Sequence, residues 1–334
     1  MLDLLYGTVI KLRNAAFDRG WLSQKQASIP VVSVGNIQVG GTGKTPLAAW
    51  IMSVYAEQGL KVGYLSRGYG RKTKGFYRVE PQGDWQTFGD EALQIANRFP
   101  SLPVGVCEDR ATGVDMLHKQ YGAEVVVLDD AFQHRRLLRD FDIVSIDVSR
   151  PWQKDRLLPF GRLREPRANL HRADFIVASK LMDKGALNTV KASLVPWEKP
   201  MACCRPVLAA PVWVNQPSAT IQKDTVLFSG LGNNALFKQN VQGSGLNVLE
   251  HVAFPDHHPY SKQDILKVQQ VWKRHAHADG SLPTILTTEK DYFRTRNSQF
   301  LSNFEQATWG YLPMELEWLE GSELLKERLL RVTL

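Results

Sequence analysis

The stretch VVSVGNIQVGGTGKTPLAAWI, from Val31 to Ile51, decides the fold. Its first four residues are mostly β-branched and apolar, a run that is typical of a buried strand. The residues from Pro46 to Gly59 predict a helix, which tolerates proline in its first turn and stops at glycine. The glycine-rich turn between them predicts an anion site, because its backbone N–H groups and the dipole of the following helix attract phosphate.

This turn carries the residues of a P-loop. In GTGKT, Lys44 is expected to reach the β- and γ-phosphates, and the hydroxyl of Thr45 suits Mg²⁺. The pattern G-x-x-x-x-G-K-[ST] has Gln38 in place of its first glycine, and Val39 stands where sandwich-forming ATPases have a second lysine. We predict that the nucleotide is bound by Gln38, Val39, Gly40, Gly41, Thr42, Gly43, Lys44 and Thr45.

The apolar run EVVVL is followed directly by Asp129 and Asp130. A carboxylate at the end of such a strand holds Mg²⁺ in P-loop proteins, either directly or through water. The alternative is that one of the aspartates caps the next helix. Other apolar runs end near Arg67 and Arg110, and the carboxyl ends of parallel strands share one edge of a sheet. We therefore expect Asp129, Asp130 and Thr45 to form a metal site at that edge.

Two further patterns leave a structural and a functional interpretation open. Asp90 begins a helical pattern in FGDEALQIA, where it serves either as an N-cap or as a carboxylate near a phosphate in transfer. His257 and His258 stand in FPDHHPYS. A histidine beside an aspartate is either structural, or it tunes a base and carries a proton. Both interpretations remain open at the level of the residues.

Residues 2–22, LDLLYGTVIKLRNAAFDRGWL, predict an amphipathic helix. Leu5, Val9 and Leu12 share one face of this helix, and Asn14 lies on the opposite face. Such a helix either lies on a membrane surface or packs against its own domain.

The composition narrows the classes of function. The chain has 334 residues, of which 43% are hydrophobic and 22% charged, as in globular proteins of two domains. A formal charge of +7 suits nucleotides, nucleic acid or an anionic membrane surface, although a mildly basic solvated surface gives the same value. An apolar run of about 18 residues, which a membrane span needs, is missing. The sequence also lacks the basic-aromatic pattern that binds nucleic acid, and its three cysteines fit a reducing cytosol.

Apolar runs that alternate with helical patterns predict an α/β fold. We predict a P-loop NTPase-like, mostly parallel sheet with flanking helices, a second, smaller α/β domain and the N-terminal amphipathic helix. The proline-rich residues 195–217 are interpreted as a connection. The predicted boundaries are an N-terminal helix over 1–27, a P-loop domain over 28–205 and a smaller domain over 206–334 that closes a cleft.

Taken in order, these motifs resemble those of the tetraacyldisaccharide 4'-kinase family, the lipid A 4'-kinases. They run from VVSVGNIQVGGTGKTP through SRGYG, GDE, LDDAFQHRRLLRD, LREP, FSGLGN and PDHH to TTEKD. The resemblance implies a kinase that uses ATP and Mg²⁺ to phosphorylate the 4'-hydroxyl of a tetraacylated glucosamine disaccharide 1-phosphate. It also implies a peripheral protein on the cytoplasmic face of the inner membrane, with a glycolipid and an anionic membrane surface as partners. We expect a monomer that binds no nucleic acid.

The resemblance also assigns roles to single residues. Asp90 in GDE stands at the position of the family's candidate catalytic base, and His257, the first histidine of DHH, at the position of its partner. Lys44 completes the expected catalytic set. Four residues match polar positions that the family has around the cleft: Arg110, His134, Arg164 and Glu165. Arg67 is a basic candidate for binding the substrate's phosphate.

The competing interpretation is a P-loop ATPase or GTPase switch that acts on a protein partner. Val39 in place of a lysine, and the lack of a metal-binding group of cysteine and histidine in the sequence, argue against it. Turnover separates the two, because a switch hydrolyses nucleotide alone whereas a kinase needs its lipid acceptor.

Overall fold

The computed structural model describes residues 2–214, 223–296, 304 and 307–334. The chain divides into two compact units. The first comprises Met1–Pro206 and Leu316–Leu334, and the second comprises Val207–Glu315. Each unit is built on a mainly parallel sheet with helices.

The strands are short, and those at the centre of the first unit are buried. In chain order they are β1 (Val31–Gly35), β2 (Val62–Ser66), β3 (Tyr77–Arg78), β4 (Val104–Val106), β5 (Val125–Asp129), β6 (Phe141–Asp147), β7 (Phe175–Ser179), β8 (Met201–Leu208), β9 (Val212–Trp213), β10 (Asp224–Gly230), β11 (Asn247–Phe254), β12 (Thr284–Thr288), β13 (Trp309–Leu312) and β14 (Met314–Glu320).

The helices alternate with the strands along most of the chain. They are α1 (Leu2–Asp18), α2 (Lys44–Glu57), α3 (Trp85–Phe88), α4 (Asp90–Arg98), α5 (Arg110–Tyr121), α6 (Leu187–Leu194), α7 (Asn234–Gly243), α8 (Lys262–Arg274), α9 (Glu289–Thr295) and α10 (Ser322–Arg331). Short 3₁₀ turns cover Trp152–Lys154, Arg167–Arg172, Lys184–Ala186 and Val195–Trp197.

Among the described residues, nine strands form the sheet of the first unit, in the order β14-β8-β7-β6-β1-β5-β2-β4-β3. The strands from β8 to β4 in this order run parallel, whereas β3 is antiparallel to β4. β1 lies between β5 and β6, with Val34 opposite both Asp129 and Ile143. The loop after β1 and the aspartates after β5 therefore leave the sheet at the same edge, and the predicted α/β fold is confirmed.

Clusters of buried apolar side chains stabilise the sheet of the first unit. One contains Val31, Leu65 and Leu128, and another contains Val144 and Trp152, all at most 2% exposed. Burying an apolar side chain of this size contributes about 1.5–3 kcal/mol relative to leaving it exposed. The loops at the carboxyl edge therefore follow strands whose side chains are packed in the apolar core.

In the described part of the second unit, five strands form a sheet in the order β11-β10-β12-β13-β9. The pairs are parallel except for β13 with β9. Phe228 and Trp272 pack in its apolar core. α8 begins with a capping box, in which Asp264 N donates to Ser261 Oγ and Ser261 N donates to the carboxylate of Asp264.

The C-terminal residues belong to a different unit from the one predicted. Residues 316–334 were expected in the smaller domain, but they are part of the first unit. β14 adds a strand beside β8. On α10, Leu325 and Leu329 are fully buried, and Tyr55 Oη of α2 donates to Leu329 O at 2.9 Å. The smaller-domain assignment was wrong for this segment because its partners lie far away in sequence.

Two other expectations change in detail. The N-terminal helix ends at Asp18, earlier than the predicted residue 22. The proline-rich connection 195–217 contains β8 and β9 as far as residue 214, and its last residues, 215–217, lie outside the described part of the chain. In the ranges that the structure covers, no helix combines the length and the apolar character needed to cross a membrane.

Candidate active site

The loop between β1 and α2 has the backbone geometry of an anion cradle. Gly40 and Gly43 have φ angles of 101° and 80°, in the left-handed region that favours glycine. Gly43 is the N-cap of α2, so the helix begins with Lys44 and Thr45. A Cβ atom on Gly40 would lie 2.8 Å from Nη2 of Arg162. The tight turn ahead of the helix N-terminus therefore requires glycine at Gly40.

Thr42 ties this loop to the neighbouring strands. Its carbonyl oxygen accepts hydrogen bonds from Ser145 Oγ on β6 (2.6 Å) and Ser179 Oγ on β7 (2.8 Å). Its hydroxyl accepts from Asn36 Nδ2 at 3.0 Å. These bonds hold the carbonyl group of Thr42 against β6 and β7. The unpaired N–H groups of a helix N-terminus are the groups that attract an anion.

Gln38 and Val39 hold the start of the loop. Gln38 is 5% exposed, and its side-chain amide accepts from Asp147 N (2.9 Å) and donates to Asp147 O (3.3 Å). Val39 N donates to Arg162 O at 2.7 Å. These polar groups of Gln38 and Val39 have partners within the protein, and their contact with the nucleotide stays a prediction.

The structure brings Lys44, Thr45, Asp129 and Asp130 together. Lys44 Nζ lies 3.6 Å from Asp130 Oδ1, and Thr45 Oγ1 lies 3.5 Å from Asp129 Oδ2. The proximity follows from the sheet, since β5 ends beside the strand that leads into the loop.

Asp129 is a buried carboxylate with fixed partners. Tyr64 Oη donates to Oδ2 at 2.6 Å, and Asp130 N donates to Oδ1 at 2.8 Å. Burial and the negative charge of Glu91 raise the pKa of Asp129 to about 6, and the positive charge of Lys44 opposes them. Tyr64 is not among the residues predicted from the sequence. The available signal was a tyrosine inside the buried run KVGYLS, because a buried hydroxyl needs a partner.

Asp130 is held by cations. Arg164 Nη1 donates to both oxygens of this carboxylate, at 2.8 and 2.9 Å, and Lys44 lies close to one of them. Burial opposes ionisation of Asp130, but the charges of Lys44 and Arg164 outweigh it and lower the pKa. Asp130 is therefore ionised at neutral pH.

These oxygens fit a Mg²⁺ ion bound together with a nucleotide. Mg²⁺ takes oxygen ligands and, in nucleotide sites, one or two carboxylates besides phosphates and waters. The hydroxyl of Thr45 and the carboxylate of Asp129 lie side by side, and Asp130 follows on the chain. These donors therefore fit a Mg²⁺ ion only together with oxygens of the nucleotide and water, because the described residues contain no group of three or more histidine, cysteine, aspartate or glutamate side chains that could hold a metal.

Asp90 is the first residue of α4, whose N-cap is Gly89. The N-cap interpretation of Asp90 was thus wrong, although its Oδ1 still accepts from Glu91 N at 2.9 Å. Asp90 is 5% exposed. Gly89 has a φ of 86°, and a Cβ atom there would lie 3.2 Å from Gly68 Cα and Tyr69 O. α4 therefore begins against the turn that follows β2, at the carboxyl edge of the sheet.

Three of the predicted polar residues lie around this edge. Arg110 is 3% exposed, and its Nη2 lies 3.5 Å from Asp129 O. Burial and the charges of Arg110 and Arg139 lower the pKa of His134 to about 4, so His134 is neutral at physiological pH. Arg67 is exposed directly after β2.

Glu165 is a buried carboxylate with several hydrogen-bond partners in the first unit. It is 1% exposed, and its Oε2 accepts from Arg172 Nη2 (2.5 Å), Asn169 Nδ2 (2.6 Å) and Asn14 Nδ2 (3.3 Å). Asn14 belongs to α1. Glu165 therefore anchors the N-terminal helix, a contact that the motif LREP does not reveal. Its place among the substrate residues stays a prediction.

The histidine pair of the second unit follows β11. His257 has a φ of 56°, and its Nδ1 lies 2.9 Å from Nη2 of Arg294, which is paired with the buried Asp291. His258 Nε2 instead lies 3.0 Å from Oδ2 of Asp264, at the start of α8. The neighbouring histidines thus have separate surroundings, and the side chain of His257 is 45% exposed.

The comparison with known families decides between the kinase and the switch. A model of the family described as LpxK, tetraacyldisaccharide-1-P 4'-kinase, matches residues 1–333. The chain belongs to the tetraacyldisaccharide 4'-kinase family. The resemblance seen in the sequence is confirmed, and the chain is an enzyme of the phosphotransferase class.

Individual members of the tetraacyldisaccharide 4'-kinase family agree with this assignment. The tetraacyldisaccharide 4'-kinase of Chlorobaculum parvum is 39% identical over 98% of this chain and 92% of its own. That of Chlorobium limicola is 36% identical over 98% and 95%. The crystal structure of the "apo" form of LpxK from Aquifex aeolicus in complex with ATP is similar over 100% of this chain and 98% of its own, with 30% identity and a TM-score of 0.78.

Proposed function

We propose that this chain transfers the γ-phosphoryl group of ATP to the 4'-hydroxyl of a tetraacylated glucosamine disaccharide 1-phosphate. The observation that carries the proposal is the meeting of Lys44 and Thr45 with Asp129 and Asp130 at one edge of the sheet. Phosphoryl transfer depends mainly on positioning and charge stabilisation, which such a site supplies. Membership of a family of lipid kinases supports the choice of acceptor.

The loop is proposed to hold the triphosphate. The backbone N–H groups of residues 40–45 point toward the β- and γ-phosphates, and Lys44 adds a positive charge. For this, Lys44 exchanges its contact with Asp130 for one with phosphate, while Arg164 continues to neutralise Asp130. Gln38 and Val39 are proposed to line the nucleotide site as well, and their hydrogen bonds fix the start of the turn.

Thr45, Asp129 and Asp130 are proposed to hold Mg²⁺. When bound, the ion neutralises charge on the β- and γ-phosphates and keeps them in line for transfer. Tyr64 keeps the Asp129 carboxylate in one orientation through its hydrogen bond.

Asp90 is proposed to accept the proton of the sugar hydroxyl. A carboxylate is a suitable acceptor because the alcohol loses its proton as the bond to phosphorus forms. His257 is proposed to assist this base during turnover.

The acceptor's phosphate is proposed to bind basic groups of the first unit. Arg67 is exposed, and Arg110 and Arg164 adjoin the two aspartates. His134, which is neutral, offers a hydrogen bond without adding charge. Guanidinium groups bind phosphate in a bidentate manner, which favours the arginines for this task.

The N-terminal helix is proposed to bring the enzyme to its lipid. Leu5, Val9 and Leu12 are 62%, 55% and 66% exposed, an apolar stripe that water does not favour. We propose that the enzyme works as a peripheral monomer on the anionic, cytoplasmic face of the inner membrane. We propose that the enzyme binds no nucleic acid.

Asp90→Asn tests the chemical part of the proposal. The variant is expected to lose about 10²–10⁴-fold in kcat, the range for one positioned general base, while it binds ATP as before. The assay measures transfer of labelled phosphate from ATP to purified tetraacyl disaccharide 1-phosphate.

The matched control is Asp109→Asn. Asp109 caps α5 by accepting from Thr112 N, and asparagine caps a helix as well as aspartate does. Full activity of the Asp90 variant would remove this residue from the role of base. Rapid ATP hydrolysis by the wild type without any lipid acceptor would favour the switch over the kinase.

A further inference from the structure

The second unit contains a buried chain of hydrogen bonds that ends on His257. Arg294, whose side chain is 2% exposed, directs Nη1 to Asp291 Oδ1 (3.2 Å) and Gly230 O (3.3 Å), and Nη2 to His257 Nδ1 (2.9 Å). Asp291, fully buried, accepts from Gly230 N (3.0 Å) and Thr288 Oγ1 (2.6 Å). The guanidinium group is therefore held in one position from several directions.

The chemistry of the guanidinium group fixes the direction of the last bond. Arginine has five N–H donors, no acceptor and no accessible neutral form. Nδ1 of His257 must therefore accept, and a neutral imidazole that accepts at Nδ1 carries its proton at Nε2. Protonation of Nδ1 would place an N–H group against another N–H donor and break the contact.

The side chain of His257 is 45% exposed, and its Nε2 lies 3.9 Å from Oδ1 of Asp256. The backbone of His257 lies in the left-handed region, with a φ of 56°. Non-glycine residues occupy this region rarely, and often at functional sites.

We propose that Arg294 is a positioning residue that fixes His257 as the Nε2–H tautomer, so that His257 acts in the reaction as a hydrogen-bond donor and not as a proton acceptor. An N–H donor orients a carboxylate base without competing for the proton of the alcohol. The catalytic consequence rests on the proposed function, whereas the tautomer does not.

Other histidines of the chain serve as internal references. His118 Nδ1 lies 2.8 Å from Ala123 O, and His171 Nδ1 lies 2.7 Å from Ala168 O. A carbonyl oxygen only accepts, so both residues carry their proton at Nδ1. The structure thus assigns opposite tautomers to His257 and to these two residues.

The first test is a long-range ¹H–¹⁵N correlation spectrum of the histidine-labelled full-length enzyme at about pH 8, where free imidazole is neutral. His257→Asn assigns the signal by removing it. His257 is expected to show a protonated Nε2 and an unprotonated Nδ1, and His118 and His171 the reverse. A protonated Nδ1, or averaging between the two forms, at His257 would overturn the proposal.

The second test separates positioning from folding. Arg294→Met alone would leave the negative charge of Asp291 buried without the positive charge of Arg294, which destabilises proteins strongly. The substitution is therefore made together with Asp291→Asn, and Asp291→Asn alone is the control.

The control is expected to keep the His257 tautomer. The double variant is expected to average the tautomers and to lose roughly 10- to 100-fold in kcat at unchanged KM for ATP, the range for one charge-assisted hydrogen bond. An unchanged tautomer in the double variant contradicts the role of Arg294.

A double-mutant cycle links the effect to His257. In the His257→Asn background, the change from the control to the double variant is expected to cause no further loss of kcat. An equal loss in both backgrounds would show that Arg294 acts through the fold. Full activity of His257→Asn would refute the catalytic role of the histidine and leave the tautomer assignment to the spectrum.

Discussion

Tyr64 shows how one hydroxyl group connects the core of the protein to its site. It is fully buried in β2, and its bond to Asp129 is the shortest that this carboxylate makes. Burial and the charge of Asp129 raise the pKa of Tyr64 well above its ordinary value, so Tyr64 remains a donor at every working pH. It therefore orients the carboxylate proposed to bind metal.

Tyr64→Phe is expected to weaken metal binding roughly 10- to 100-fold, the range for loss of a residue that orients a metal ligand. Titration of Mn²⁺ against the enzyme and a non-hydrolysable ATP analogue, followed by electron paramagnetic resonance, measures the change. Tyr55→Phe is the matched control, since Tyr55 is equally buried but donates to the backbone of Leu329. Equal metal affinity in wild type and Tyr64→Phe would contradict the proposed orientation.

At the scale of the element, α1 differs from an ordinary surface helix, because it buries polar groups against the protein and exposes an apolar stripe. Its inner face carries the buried Asn14 and Phe17, and polar bonds hold it, among them Asp18 with Arg135 at 2.7 Å and Asn14 with Glu165 at 3.3 Å. Its apolar stripe faces outward. A helix that packs with polar groups and exposes leucine and valine is suited to a lipid surface.

Replacing Leu5, Val9 and Leu12 by glutamine is expected to reduce binding to anionic phospholipid vesicles by about tenfold or more, given the apolar area removed. ATP affinity should not change, because glutamine maintains the helix. Vesicle flotation measures the binding. Val195→Gln with Met182→Gln is the control, because both residues are exposed elsewhere in the first unit. If the triple variant binds vesicles as strongly as the control, α1 is not the anchor.

At the scale of the whole molecule, the first unit is discontinuous in sequence. The second unit occupies Val207–Glu315, and the chain then returns to complete the first unit with β14 and α10. The stability of the unit that carries the loop therefore depends on residues close to the C-terminus. Leu329 is fully buried there, whereas Leu324, on the same helix, is 40% exposed.

Leu329→Ala is expected to lower the free energy of unfolding of the first unit by about 2–5 kcal/mol, through lost burial and the cavity left behind. Thermal unfolding with and without ATP identifies the transition, since ATP stabilises the unit that binds it. Leu324→Ala should leave that transition nearly unchanged. A shift confined to a transition that ATP does not move would place Leu329 in the other unit.

Local pattern was sufficient for much of the fold and for the centre of the site. The buried run before the glycine-rich turn, the helix after it and the aspartates after EVVVL each follow from neighbouring residues, and parallel pairing of β1 with β5 brought Lys44 and Asp129 to one edge. The bonds of Gln38 with Asp147, of Val39 with Arg162 and of Glu165 with Asn14 did not follow, because these partners lie more than 100 residues apart in the chain.

The sequence by itself determined the P-loop, the α/β class and the family, because these are encoded in short stretches whose backbone and side-chain chemistry act locally. Only the tertiary structure decided which polar groups are bonded within the protein, where the C-terminal helix belongs, and that the guanidinium group of Arg294 lies beside Nδ1 of His257. These features depend on hydrogen bonds and packing between residues that are distant in the chain. What a buried polar group does follows from the partner with which it forms its hydrogen bond.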